Sequence, residues 1–537
     1  MVATTSGLSK ALGLALVLCS VCSVAFASDT TTVVFESSEE GEGSGFKNLF
    51  VSVKGDVENM TVEVERLSGD GIPDWVHATK FNNGFGKYEG KGFAFNYLFD
   101  VMAYVAKWRI DGNKVSFSNK FVNSSYYQKS KESVPTFRTF GGVTPPMNTA
   151  EKLATLAHLL SDNLNVNIMK FGNHLVTLSD MAGQVEIDQL NLNTLGRLTF
   201  NDTLTSKFTL ITCAHPSKLP GDPFIYNYHV HVMGNMPHIG KMNRWEFYRI
   251  DTSKGDTLSR ELMLTVPIVN GKSPYMHSFA HTPNYIVTFE FPLEWDVMKI
   301  IISTNILPDL TWRPENGTHV KVIDKNTWKI VKSYYIEPVF AYHHVNAYED
   351  DSGDVVVDIT TVPCENSTGK ASCEHMNAFE LKTLRNNSWS IPSNVFKRFH
   401  VPVKGGGDKV TSEVLSKTSF DLPHINPKFV GHKHKYVYAT GDHGEGVWWN
   451  TLVKVDVDTG ETVTWYEKDQ FPTEPNFIPR PGATDEDDGV LVSQVLGGDI
   501  GTSYLLVLDA KTMKPLAKVK APHFLPYVSH GFSEADA

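Results

Sequence analysis

Cysteine is scarce, with five in 537 residues. Two of them, Cys19 and Cys22, lie in an apolar leader, so few remain to staple a fold. A surplus of positive charge is also missing. Lys and Arg total 49 against 60 Asp and Glu, for a net charge of −11. No basic stripe or cluster occurs, which argues against a nucleic-acid partner. Beyond the leader no apolar run is long enough to span a bilayer. Long helical patterns are few. The best is NTAEKLATLAHLLSDN (148–163), with Thr149 as a cap and Leu153, Leu156, Leu159 and Leu160 at helical spacing.

The leader itself is informative. Lys10 supplies a positive start, residues 11–24 are mostly apolar, and Ala25-Phe26-Ala27 has the small-x-small form of a cleavage site before Ser28. This pattern predicts a signal peptide over 1–27 and a protein secreted or held in the secretory lumen. Sequons for glycosylation stand at Asn59, Asn123, Asn201, Asn316, Asn366 and Asn386. In an oxidising compartment Cys364 and Cys373, flanking PCENSTGKASC, are expected to close a short disulfide loop. Cys213 is then left over, as a buried thiol in an apolar run.

Most of the chain is short β-rich runs separated by Gly, Asp, Asn and Pro. One unit recurs: an apolar strand ends in Asp, a polar turn follows, and a second strand begins. The aspartates are Asp188, Asp251, Asp324, Asp458 and Asp509, and AFELKTLRNNSWSI (378–391) fits the plan loosely. Repeating hairpins point to an all-β fold, a β-propeller ahead of a sandwich or two barrels. The expected layout is an N-terminal segment over 28–70 and a single domain over 71–537.

Of twenty histidines, four lie in apolar or strand-like surroundings: His215 in LITCAHP, His277 in SPYMHSF, His343 in AYHHVNAYED and His530 in VSHGF. A propeller would gather such residues on its axis, where four imidazoles make a metal site. Each alone reads more simply as a hydrogen-bonded core histidine. His229 and His231, two apart in YHVHVMG, are a rival metal pair, whereas His432 and His434 in GHKHK read as an exposed turn. In AYHHVNAYED adjacent strand residues face opposite ways, so His343 and His344 cannot both serve one site.

These segments resemble the carotenoid cleavage oxygenases, the family of the β-carotene oxygenases and the retinoid isomerohydrolase. AHP (214–216), SPYMHSFAHTPNYIV (273–287), YHHVNAYED (342–350) and HGF (530–532) match its four ligand motifs in order. FPTEPNFIPRPGATDEDDGVLVSQV (471–495), TSFDLPHINPKF (418–429) and IPDWV, NNGFGKYEG and NYLFD (72–100) match as well. The resemblance implies a seven-bladed propeller with a helical and loop cap over the iron face. It implies an Fe(II) ion on His215, His277, His343 and His530, backed by Glu474, Asp421 and Asp180, the last two standing where the family has glutamate. It also implies a dioxygenase that uses O₂ to cleave a conjugated double bond of a lipophilic polyene, a carotenoid or apocarotenoid, into aldehyde or ketone products. Phe99 and Tyr127 fall near positions that line the substrate cavity. His344 is then expected to point into its sheet and hydrogen-bond there.

Departures are present. The family's glycine-proline-glycine turn is Gly84-Phe85-Gly86, the FDG motif ends in Val101, and an Asp-Pro-Cys-Lys motif is missing after residue 139. Peripheral membrane contact therefore rests on the apolar face of 150–160, which reads more simply as a packed core helix. Retinoid isomerisation, stilbene-type cleavage, or carotenoid binding without turnover are the alternatives.

Overall fold

In the computed structural model the described residues are 45–536, apart from 138, 140–147, 152–160, 205–208, 232–243, 269–271, 297–298, 300–309, 365–378, 387–392, 445–447 and 499–500. The signal peptide, Cys373, Asn366 and most of the 148–163 segment lie outside them. Among the described residues no helix is long and apolar enough to cross a membrane.

Strands dominate. Seven antiparallel sheets of four to six strands account for most of them. The second to sixth are built alike, each stepping away from an edge strand that comes first in sequence. The second runs Asn167–Phe171, His174–Leu178, Val185–Ile187, Thr194–Arg197, and the third Thr209–Thr212, Phe224–His231, Arg244–Asp251, Arg260–Pro267. The fourth runs Ala280–His281, Tyr285–Glu290, Thr318–Asp324, Lys329–Ile336, and the fifth His344–Glu349, Val355–Thr361, Val395–Val401, Thr411–Ser416. The sixth runs Phe420–His424, Tyr436–Gly441, Thr451–Asp456, Thr462–Tyr466.

The first and seventh sheets mix strands from far apart in the chain. Val528–Ala535 pairs with His77–Lys87, followed by Met102–Asp111, Lys114–Phe121 and Val57–Val62. Val64–Arg66 adds to the seventh sheet beside Pro515–Lys520. Residues from 57 onward are thus already part of the sheets, ahead of the boundary expected at 71.

Burial explains the sequence texture. Central strands such as Val355–Thr361 and Gly489–Gly497 are buried throughout and read as continuous apolar or small runs. Outer strands such as Lys329–Ile336 alternate. The recurring aspartates close the hairpins. Their carboxylates accept backbone N–H groups two or three residues on: Leu190 and Asn191 at Asp188, Ser253 at Asp251, Asn326 and Thr327 at Asp324, Thr512 at Asp509. These are Asx turns. In the sixth sheet the turn aspartate is Asp456, which accepts from Asp458 and Thr459, so the expected Asp458 was two residues late.

Two other expectations change. Leu381–Arg385 is a helix, not a strand of a hairpin. The helix at 149 is capped by Asn148, not Thr149. Asn148 and Glu151 exchange backbone-to-side-chain bonds of 2.7 and 3.0 Å, a capping box.

Candidate metal centre

The histidines lie in, or within three residues of, four edge strands. His215 lies three residues after Thr209–Thr212, and His277 three before Ala280–His281. His343 immediately precedes His344–Glu349, and His530 lies within Val528–Ala535. Three carboxylates come from the remaining sheets. Asp180 is two residues past His174–Leu178, Asp421 is in Phe420–His424, and Glu474 is between Gln470–Pro472 and Asn476–Pro479. Each of the seven sheets therefore contributes one residue.

The four imidazoles converge, with their ligand atoms all within 4.8 Å of one another. Nε2 of His215 and Nε2 of His277 are 3.0 Å apart. For five of the six ring pairs the centroids lie between 4.5 Å (His215 and His530) and 5.2 Å (His277 and His343).

The carboxylates fix which nitrogen faces inward. His277 Nδ1 donates to Asp180 Oδ2 at 2.7 Å, His343 Nδ1 to Asp421 Oδ1 at 2.7 Å, and His530 Nδ1 to Glu474 Oε1 at 2.9 Å. An ionised carboxylate only accepts, so Nδ1 carries the proton and Nε2 presents a lone pair. His343 Nε2 is buried without a protein partner. Lone pairs converging in a buried space repel unless a cation lies among them. The donor set thus fits a divalent metal on neutral imidazoles.

Electrostatics agree with neutral rings. Burial, then the charges of the other three imidazoles, holds His215 well below the usual imidazole range. Burial lowers His343 as well, against the pull of Asp421. Burial pushes Asp421 and Glu474 up, but their histidine partners and backbone donors outweigh it, and both end below the ordinary carboxylate value.

The shorter aspartates reach because their surroundings bring them in. Asp180 accepts from Tyr275 Oη (2.9 Å) and from the Ala214 N–H (3.2 Å), next to His215. Asp421 accepts from the Leu422 N–H (2.9 Å), Thr360 Oγ1 (3.3 Å) and Asn394 Nδ2 (3.4 Å). The strand is bulged between Asp421 and His424, and Leu422 adopts a left-handed φ of 52°. Such strain in a β-sheet residue is tolerated where the surroundings impose it.

Other expected residues fall elsewhere. His229 is hydrogen-bonded to Glu246, which Arg244 also engages, so His229 is held within its own sheet and not among the four histidines. His434 is buried, not in an exposed turn. Its Nε2 is 3.4 Å from Asp358, and Asn346 Nδ2 donates to its Nδ1 at 3.0 Å. Phe99 makes edge contacts with Phe85 and Phe379 and packs on the core that holds Tyr275 and Phe340. Tyr127 stacks on Phe121 beneath Lys131, and neither contact touches the four histidines. Cys364 is disulfide-bonded. Cys213 is buried and free, its Sγ donating to the His277 carbonyl at 3.0 Å.

Sequence reasoning did not find Tyr275, Thr360 or Asn394. Tyr275 had a signal. It stands two residues before His277, on the same face of an extended run.

A family profile described as retinal pigment epithelial membrane protein matches residues 50–532. The chain belongs to this family, the carotenoid cleavage oxygenases. It is 28% identical to "Carotenoid cleavage dioxygenase 8, chloroplastic" of Arabidopsis thaliana, over 86% of this chain and 81% of that protein. It is 30% identical to "Carotenoid cleavage dioxygenase 8 homolog B, chloroplastic" of Oryza sativa subsp. japonica, over 88% and 83%. It is 27% identical to "Beta,beta-carotene 15,15'-dioxygenase" of Rattus norvegicus, over 87% and 88%. The fold is that of Synechocystis apocarotenoid oxygenase. A mutant of that enzyme superposes with a TM-score of 0.76 at 21% identity, covering 92% of this chain and 98% of that one. A cobalt-substituted form aligns equally well.

Proposed function

We propose that this protein is a non-haem Fe(II) dioxygenase that oxidatively cleaves a conjugated double bond of a carotenoid or apocarotenoid to aldehyde or ketone products. The observation that carries the reading is the convergence of four lone-pair-bearing imidazoles, three of them oriented by carboxylates. His215, His277, His343 and His530 would hold the metal. When bound there, a ferrous ion with only neutral ligands would keep its full charge and would supply the dioxygen chemistry. The chain's own residues do the rest. Asp180, Asp421 and Glu474 fix ring orientation and tautomer. The aromatic layer that includes Phe99, Phe379, Phe340 and Tyr342 offers an apolar wall for a polyene and excludes water.

The seven sheets are read as propeller blades around this centre, with the segment bearing Leu381–Arg385 as part of the cap. Export through the secretory pathway belongs to the same proposal. The five sequon asparagines among the described residues, Asn59, Asn123, Asn201, Asn316 and Asn386, are all exposed, as glycosylation requires. The test is incubation of the iron-loaded protein with a panel of carotenoids, apocarotenoids and stilbenes under O₂, with product masses recorded. Paired carbonyl products support the reading. Intact polyene recovered from an iron-replete protein overturns it in favour of binding without turnover.

A further inference from the structure

Three of the four imidazoles have a carboxylate on Nδ1, and His215 has none. Among the described residues its Nδ1 meets no hydrogen-bond partner, and His215 is the one residue of the four that is partly rather than largely buried. With Nε2 facing the metal position, Nδ1 must carry the proton, and that N–H needs an acceptor.

Beside it is a cavity of about 200 Å³ lined by His215, Ser217, His281, His343 and Glu474 among others. Its wall has a defined polarity. Lys325 Nζ lies 2.8 Å from His281 Nε2 and also donates to the Thr282 carbonyl at 3.2 Å. Burial, then the Lys325 charge, keeps His281 neutral. With Nε2 accepting, His281 holds its proton on Nδ1 and donates it to Ser217 Oγ at 2.9 Å. The Ser217 hydroxyl hydrogen is left free to turn into the cavity. Two donors, His215 Nδ1–H and Ser217 Oγ–H, therefore border the same space.

The acceptor they require is small and polar. A polyene offers no lone pair. An anion would meet the field of the Asp180, Asp421 and Glu474 carboxylates. Water satisfies every group, since it accepts from His215 and Ser217 and donates towards Glu474, which keeps spare lone pairs. At about 30 Å³ per molecule the space holds several waters.

We propose that this cavity is a hydration site built into the metal centre, where ordered water takes the place of a fourth carboxylate behind His215 and Ser217 positions it. The inference rests on the metal-site reading above.

Cobalt serves as the probe. In the Co(II)-substituted protein, proton NMR shows the four ligand imidazole N–H signals shifted by the metal. Three, bonded to carboxylates, are expected to exchange slowly with D₂O and the fourth much faster. Four equally slow signals overturn the hydration site while leaving the metal site intact. No cobalt binding at all overturns both. Ser217→Ala is expected to weaken Co(II) binding about tenfold and, because His281 loses its acceptor, to lower the unfolding midpoint of the metal-free protein, with Ser217→Thr restoring both. Wild-type affinity in Ser217→Ala, or added azide occupying the cavity in a crystal, counts against the proposal.

Discussion

His344 Nδ1 lies 2.8 Å from Ser278 Oγ, and Ser278 is the residue after His277. The same hydroxyl donates to the Tyr342 carbonyl at 2.7 Å and accepts the His344 N–H at 2.9 Å. The two neighbouring histidines thus divide the work. His343 turns to the metal position. His344, brought down to about 3 by burial and by its neighbour's charge, stays neutral and ties the fifth sheet to the segment bearing the next ligand.

Substituting them singly is expected to give unequal results. His343→Ala should lose stoichiometric metal, measured by elemental analysis after dialysis. His344→Ala should keep a bound metal and lose about 1–3 kcal/mol of unfolding free energy, from the broken hydrogen bonds and the space left behind. Equal metal loss in both would contradict the division of roles.

Asp421→Asn keeps the shape of the side chain but can offer an N–H where His343 needs an acceptor. Metal affinity is expected to fall about 10- to 100-fold, read by competition with a chelator. Unchanged affinity would mean that His343 is oriented by other contacts.

Gly531 follows His530 on the strand that pairs with His77–Lys87. A Cβ there would collide with the Phe81 carbonyl oxygen and the Asn82 side chain. Gly531→Ala should therefore push the His530 strand outward. The expected signature is a lower thermal midpoint together with weaker metal binding, measured on the same sample.

Acid stability has an assignable contributor away from the centre. Burial pushes Glu246 up, but hydrogen bonds from His229 and Arg244 outweigh it and bring the carboxyl from 4.5 down to about 2. A depressed folded-state value stabilises the protein above the unfolded value, and that stabilisation fades as pH drops from about 4.5 towards 2. Urea unfolding of wild type and Glu246→Gln across this window should show a gap that is widest above pH 5 and closes on acidification. A gap that widens instead would refute the assignment.

Phe99→Ala removes part of the aromatic wall without touching a metal-binding group. With a long polyene it is expected to change the ratio of cleavage products while metal content stays constant. Tyr127→Ala, whose ring contacts are Phe121 and Lys131, should leave product ratios as they are.

Much of this was legible in the sequence, for identifiable reasons. Strand residues alternate, so the side-by-side His343 and His344 had to part. The recurring aspartates marked real turns, because a short carboxylate closes a hairpin through its own backbone. What escaped was set by contacts between distant segments. Tyr275 on Asp180, and Thr360 and Asn394 on Asp421, are neighbours only in space. His434 reads as exposed beside two lysines, yet Asp358 and Asn346 draw it inside. The left-handed Leu422 has no glycine to announce it, since the pull of the Asp421 bonds imposes it.

The contribution of one residue from each of seven sheets has a consequence for breathing motions. A metal held at that hub would touch, directly or through one hydrogen bond, each of these seven sheets. Any sheet that swings away takes a ligand or its anchor with it. Metal occupancy and local opening are therefore linked quantities. The slowest-exchanging amides should be shared among the strands of all seven sheets that lie next to these residues, and chelation should loosen them together.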